Sequence, residues 1–290
     1  MRRIVTILAV LGLCGLGAAW LITAPDTLRD DAMAELTGDA ARGEAVFWAA
    51  GCASCHSAPE GDDPLVLAGG QAFESDFGTF YAPNISSDPQ HGIGNWSDIE
   101  IANAVMRGTS PDGAHYYPAF PYVGYARLEP QDMADLAAFL RSVPADATPS
   151  RPHDVAFPFS IRRAVGAWKV LYGSPDWVMS DPAGGELARG RYLVEVLGHC
   201  GECHTPRDAL GGLDRDQWLR GAPNPSGKGR IPGITPDQLD WSASDIAYYL
   251  ESGFTPDYDS AGGSMAKVVT SFSKLTGEDR AAVAAYLKAL

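Results

Sequence analysis

The sequence predicts an all-α protein: two tandem copies of one helical domain behind an apolar amino-terminal helix. Three observations predict it. The chain repeats itself: Ala41-Arg42-Gly43 returns as Ala188-Arg189-Gly190, and Cys52-Ala53-Ser54-Cys55-His56 as Cys200-Gly201-Glu202-Cys203-His204. Trp96-Ser97 returns as Trp241-Ser242, each Trp is followed twelve residues later by Gly108 or Gly253, and Leu128 to Leu140 parallels Leu275 to Leu287. Landmarks in one order at nearly one offset are the signature of a duplicated unit. Helical periodicity is the second observation, and an uncharged apolar run from Ile4 to Ile22 is the third. The expected divisions are a signal-anchor or transmembrane helix, 1–24, a tether, 25–37, a first domain, 38–145, a packed connector, 146–182, and a second domain, 183–290.

The elements follow in order. At 1.5 Å per residue the apolar run spans about 28 Å, close to the roughly 30 Å of a bilayer core. Arg2 and Arg3 before it, and Asp26, Asp30 and Asp31 after it, put the amino end in the cytoplasm and export the rest. A cleaved signal peptide is the competing reading, because Gly17-Ala18-Ala19 offers a small-x-small site. The run continues through Trp20, Leu21 and Ile22, which favours an uncleaved anchor. Leu13 is too bulky for a lipobox at Cys14, which reads as a thiol in the membrane helix. Ser97-x-x-Glu100 and Ser242-x-x-Asp245 read as capping boxes. Ile101, Ala104 and Val105 then match Ile246, Tyr249 and Leu250 at helical spacing. Pro130 suits a first helical turn, with Met133, Leu136, Ala137 and Leu140 as the buried stripe. Thr276 caps a last helix with Val283, Leu287 and Leu290 inward. No stretch shows sustained strand alternation. Phe157, Phe159, Trp168, Val170, Leu171 and Tyr172 make the connector too apolar for a free tether, so it is expected to pack between the domains.

Lys+Arg is 22 and Asp+Glu is 36, a net charge of −14. Such a surface repels phosphate backbones, which excludes nucleic acid as a partner and leaves room for basic proteins. Five cysteines are too few for a disulfide scaffold.

Four of those cysteines carry the chemistry. Cys-x-x-Cys-His is the attachment signature of c-type haem. Two thiols three residues apart project from one side of a helical turn and can both add to porphyrin vinyl groups, while the adjacent His presents a ring nitrogen to iron. Cys52, Cys55, Cys200 and Cys203 therefore predict two covalently bound haem c groups, with His56 and His204 as axial ligands. A four-Cys zinc site would have to join clusters across the domain repeat. A redox dithiol gives no reason for a His after both second cysteines, and a structural disulfide is the remaining bland reading.

The sixth iron ligand differs between the copies. Met265, in Gly262-Gly263-Ser264-Met265, is read as lying in a loop before the last helix, where its thioether can close the second iron and raise its potential. The alternative is a core methionine. The repeat sets Phe120 against Met265, and a phenyl ring cannot ligate iron. The first iron then takes His115, five residues upstream, or stays open or water-bound, or takes Met106 or a tyrosine. His115 otherwise reads as a loop histidine serving solvent or a propionate. His91, His153 and His199 have no repeat partner and read as surface or supporting residues.

The motifs with Ala82-Pro83-Asn84-Ile85, Tyr117-Pro118-Ala119-Phe120-Pro121-Tyr122 and Gly198-His199-Cys200-Gly201-Glu202-Cys203-His204-Thr205-Pro206-Arg207 resemble the membrane-bound multihaem cytochrome c subunits of bacterial periplasmic alcohol, gluconate and related dehydrogenases. The connector segments Pro158-Phe159-Ser160-Ile161-Arg162 and Gly166-Ala167-Trp168-Lys169-Val170-Leu171 fit as well, so the resemblance covers most of the exported chain. It implies two class I cytochrome c folds, in which first and last helices cross beside the haem. It also implies electron relay from a dehydrogenase catalytic subunit to a respiratory-chain acceptor: quinone, soluble cytochrome or terminal oxidase. The expected location is the periplasmic side of the bacterial inner membrane, anchored through residues 4–22. Two departures stand out: many such subunits carry three haems, and many have Met at the position of Phe120. The resulting expectation is an electron-transfer subunit with no catalytic residues of its own. The alternative is a dihaem peroxidase or thiosulfate-dehydrogenase type of enzyme using an open first iron. A haem-based sensor would call for an output domain, and none is visible after Leu290.

Overall fold

The computed structural model describes residues 2–174, 176–225, 227 and 229–290; Met1 of the leader lies outside them. The apolar run forms one helix, α1 (Arg2–Ile22), with no buried residue. Its length and composition suit a membrane span, and equally a signal sequence.

The first domain opens on α2 (Ala40–Ala49), capped by the Asp39 carboxylate, which accepts from the Ala41 and Arg42 amides. The first Cys-x-x-Cys-His segment is itself a short helix, α3 (Cys52–His56). A two-stranded antiparallel ribbon follows, β1 (Ala72–Ser75) and β2 (Gly78–Tyr81), pairing Ala72 with Tyr81 and Ser75 with Gly78. Next come α4 (Asp98–Ala102), α5 (Tyr122–Tyr125) and α6 (Pro130–Leu140). The connector contributes α7 (Ala164–Tyr172). The second domain repeats the plan: α8 (Gly185–Tyr192), α9 (Gly201–His204), a minimal ribbon of β3 (Ala222–Pro223) and β4 (Arg230–Ile231), α10 (Ala243–Ser252), α11 (Gly263–Phe272) and α12 (Gly277–Lys288). The ribbons are too short to show as alternation in sequence.

Both capping boxes form: Ser97 N donates to Glu100 at 2.8 Å, and Ser242 N to Asp245 at 3.0 Å. Met133, Leu136, Ala137 and Leu140 are buried on α6, and Val283 and Leu287 on α12. Leu290 is a correction: it lies beyond the end of α12 and stays exposed.

Within each domain the first and last helices cross at a glycine. A Cβ on Gly43 would sit 1.9 Å from the Asp135 carbonyl oxygen, and one on Gly190 2.0 Å from that of Ala282. Only a residue without a side chain admits backbones this close. Beside the first crossing Arg42 donates two bonds to the buried Asp135 carboxylate, at 2.7 and 2.8 Å; beside the second, Arg189 donates to Asp279 at 2.7 Å.

One hydrophobic core runs through both domains, from Phe47 and Met133 to Leu193 and Tyr286. A buried carboxylate pins the junction. Glu195 accepts from the Val178 and Met179 amides of the connector at 2.7 and 3.0 Å and from Tyr286 Oη at 2.8 Å, while Arg127 of the first domain donates to the Glu195 carbonyl at 2.9 Å. Full hydrogen bonding is what makes a charge tolerable there.

The connector wraps the first domain and touches the second. Asp154 bridges Thr79 of β2, Trp168 Nε1 donates to the Leu210 carbonyl, and Tyr172 Oη to Asp208. Only part of its apolar set is covered. Phe157, Phe159, Ile161, Val170 and Leu171 remain exposed, because α7 turns only its Val165–Gly166 face inward.

Candidate haem-attachment sites

In each copy the motif follows directly from a turn of backbone beside the first helix. Gly51, with φ 62°, starts α3 and presents Cys52 and Cys55 from one helical turn, with His56 at its end. In the second copy Cys200 is the residue before α9, whose last residue is His204. The four motif thiols are free. Burial pushes Cys52 and Cys200 up to about 12 and Cys55 to about 11. Such thiols stay protonated, unlike the thiolates of redox dithiols, which sit in electropositive surroundings.

The histidines carry the clearest signal. His56 Nδ1 donates to the Pro83 carbonyl at 2.8 Å, and His204 Nδ1 donates to the Pro232 carbonyl at the same distance. A proton fixed on Nδ1 leaves Nε2 with a lone pair, in the tautomer and orientation an axial iron ligand needs. Burial lowers both pKa values, the first cause in each case, so the rings are neutral donors. The residue set fits covalent haem in both copies. Sequence reasoning missed these two carbonyls. Pro83-Asn84-Ile85 and Pro232-Gly233-Ile234 follow the two histidines by nearly the same spacing, a pairing that would have pointed to them. The match extends to the backbone: Gly69 N and Gly221 N donate to the His56 and His204 carbonyls, and Ile85 N and Ile234 N to those of Leu67 and Leu219.

The loops that precede Phe120 and Met265 also match. Gly108 and Gly253 both adopt left-handed backbone, and their carbonyls accept from Tyr116 N and Ala261 N at 2.8 Å in each case. That register places Phe120 and Met265 at equivalent positions, and both are half-buried against the common core. Met265 is not in a loop: it lies in the first turn of α11. The stripe Met265, Val268, Val269, Phe272 explains the helix, and its spacing was available in the sequence. In the first copy Pro121 follows Phe120, and only the four-residue α5 forms.

His115 is buried on the connector side of its loop. Its Nε2 donates to the Thr23 carbonyl at 3.0 Å, its own carbonyl accepts from Arg162, and Nδ1 is buried without a partner. Burial lowers its pKa, so the ring is neutral and Nδ1 keeps a lone pair. Met106 is buried in the core. His153 Nδ1 accepts from Tyr81 N, and His199 is packed edge-on to Tyr125 with centroids 5.5 Å apart.

The two motifs face the same junction. Burial is the main cause of the raised Cys55 thiol, but Lys267 and Cys203 of the second domain also act on it. Ser54 Oγ lies 3.3 Å from Ser271 Oγ of α11, and Tyr125, whose hydroxyl donates to the Ala50 carbonyl, packs edge-on against His199 next to Cys200. Neither Tyr125 nor His199 has a sequence signal for this contact, because it exists only across the domain boundary.

The comparisons with known proteins agree with the duplicated plan. The family model described as Cytochrome c matches residues 40–144 and 187–290. A protein of Cereibacter sphaeroides described as "Diheme cytochrome c-type" is 56% identical over 291 residues, covering 99% of this chain and 98% of that one. The fructose dehydrogenase cytochrome subunit of Gluconobacter japonicus is 38% identical over 258 residues, 86% of this chain and 52% of its own. The cytochrome c subunit of the quinone-dependent alcohol dehydrogenase of Gluconobacter oxydans is 36% identical over 277 residues, 86% of this chain and 54% of its own. The chain thus spans about half the length of these dehydrogenase subunits.

Proposed function

This chain belongs to the cytochrome c family, and we propose that it is a dihaem relay passing electrons from a partner dehydrogenase to a respiratory acceptor such as a quinone, a soluble cytochrome or a terminal oxidase. The single observation that carries the reading is the pair of equivalent Cys-x-x-Cys-His sites, each with an Nδ1-to-carbonyl bond, meeting at one junction. Names of relatives as cytochrome subunits of fructose, alcohol and gluconate dehydrogenases support a dehydrogenase partner.

Haem c supplies one-electron exchange without bond making, tuned by its axial ligands and surroundings. The protein's part is attachment, orientation and exclusion of water. Cys52 and Cys55, and Cys200 and Cys203, would hold the two groups as thioethers, and His56 and His204 would each offer a ring nitrogen to the iron. Met265 would offer its thioether to the second iron. At the first iron His115 offers the buried Nδ1, and an open position is the other arrangement consistent with Phe120. We assign α1 as the anchor in the inner membrane, with the two domains on its periplasmic side.

Membranes of a strain with and without this chain test the relay. With the chain present, alcohol, gluconate or fructose should reduce its haem c and drive oxygen uptake; deletion should abolish both for the partner's substrate. The purified chain should not turn over peroxide or thiosulfate by itself. Turnover by the isolated chain overturns the relay and favours an enzyme with an open first iron. His115→Ala divides the ligand sets: new carbon monoxide binding at one ferrous haem identifies His115 as the ligand, and unchanged binding excludes it.

A further inference from the structure

We infer that the connector forms a second membrane contact: the segment 157–171 lies on the outer leaflet of the bilayer that α1 crosses. The inference rests on the anchor reading of α1 and adds a surface to it. Helix α7 has an outward face made of Ala164, Ala167, Val170 and Leu171, at the i, i+3, i+6, i+7 spacing of one helical stripe. All four are exposed, and none is polar. A solvent-facing helix face in a soluble protein carries charge, whereas an apolar one marks a surface with a partner. Phe157, Phe159 and Ile161 extend this face from the turn before α7, with Phe157 81% exposed. Leu210, whose carbonyl accepts from Trp168, is exposed beside it.

A lipid surface is the occupant because the patch is continuous with the end of α1. Arg163 bonds the Trp20 carbonyl and lies over the Trp20 ring, 4.2 Å from its centroid. A Cβ on Gly166 would lie 2.2 Å from the Thr23 carbonyl oxygen, and His115 donates to that same carbonyl. The connector is therefore packed against the turn by which α1 leaves the membrane. Tryptophan and arginine at that level are the residues that anchor chains at the headgroup layer. The same surface is tied to the first domain through Tyr117 Oη on the Phe159 carbonyl and Lys169 Nζ on the Arg107 and Gly108 carbonyls. Contact with lipid would thus hold the loop of Gly108 to Phe120 close to the bilayer and fix the tilt of both domains.

The full holoprotein, reconstituted without other proteins in nanodiscs of phosphatidylcholine and phosphatidylglycerol carrying an acyl-chain diazirine, tests this. After irradiation, peptide mapping should find lipid adducts on α1 and on 157–171, and none on 254–260, which holds the exposed Tyr258 of the second domain. Phe159→Asp with Leu171→Asp should lower the yield on 157–171 about tenfold while leaving the haem spectrum and the adducts on α1 unchanged. Adducts on α1 with none on 157–171 overturn the proposal and leave the anchor intact. Adducts on 157–171 in mature protein whose amino terminus starts beyond residue 24 uphold the surface and remove the anchor. Adducts on neither segment overturn both.

Discussion

Gly190→Ala tests the helix crossing on which the second site depends. The new methyl carbon would lie 2.0 Å from the Ala282 carbonyl oxygen, 2.8 Å from its carbon and 2.9 Å from Tyr286 Cβ. A carbon rests on a carbonyl oxygen at about 3.3 Å, so α8 and α12 must part by roughly 1.3 Å. The obstacle is backbone, which cannot swing aside as a side-chain tip can. Gaps of about 1 Å forfeit up to half of each lost contact, here among Leu193, Val283, Tyr286 and Leu287. Overpacking of this kind costs about 3 kcal/mol. At about 2–4 °C per kcal/mol for two domains that share one core, the thermal midpoint should fall by roughly 6–12 °C. Tyr286 would also shift against Glu195, loosening the junction. Gly262→Ala is the control: it sits at φ −116°, and its Cβ would meet nothing within 4 Å, so its effect should stay within about 1 kcal/mol. Circular dichroism melts of both holoproteins make the comparison. A Gly190→Ala midpoint within about 3 °C of the parent would refute the close-crossing argument.

Three further outcomes follow from the sites. Cys200→Ala with Cys203→Ala should leave one covalent haem per chain after acid-acetone extraction, where the parent keeps two; an extractable haem in the parent contradicts thioether attachment. Met265→Ala should abolish the weak charge-transfer band of ferric His/Met haem, and Phe120→Met should add to it; a band that survives Met265→Ala rules out that thioether. Hydrogen bonds from Arg42 hold the Asp135 carboxyl below the usual carboxylate range, so folding favours its ionised form. Its contribution is fully present above about pH 4 and disappears as pH falls through the lower folded value, and Asp135→Asn should flatten stability against pH in that acid range. Unfolding free energies that change equally with pH in the two proteins, from denaturant titrations between about pH 2 and 5, would count against it.

Local features were legible in the residues alone. Haem attachment needs two thiols and a histidine within one helical turn, so Cys52 to His56 and Cys200 to His204 were legible as motifs. The same holds for the caps at Ser97, Ser242 and Thr276, which involve only residues three apart. Because the chain is duplicated, the register that sets Phe120 against Met265 was also legible, and the matching bonds at Gly108 and Gly253 carry it into the fold. Met265 reads as a loop residue because Gly262 and Gly263 stand beside it, yet its i, i+3, i+4, i+7 stripe with Val268, Val269 and Phe272 marks the helix that forms. Other features depend on contacts between segments distant in the chain. The Pro83 and Pro232 carbonyls that orient the histidines are backbone atoms, to which any residue type contributes equally. The meeting of Tyr125 with His199, and of Glu195 with Arg127, is set by how two domains dock. The connector's apolar composition signalled burial, but composition cannot say which face of α7 turns inward. That choice is made by the glycine that lets α7 approach Thr23, and it leaves Val170 and Leu171 outside.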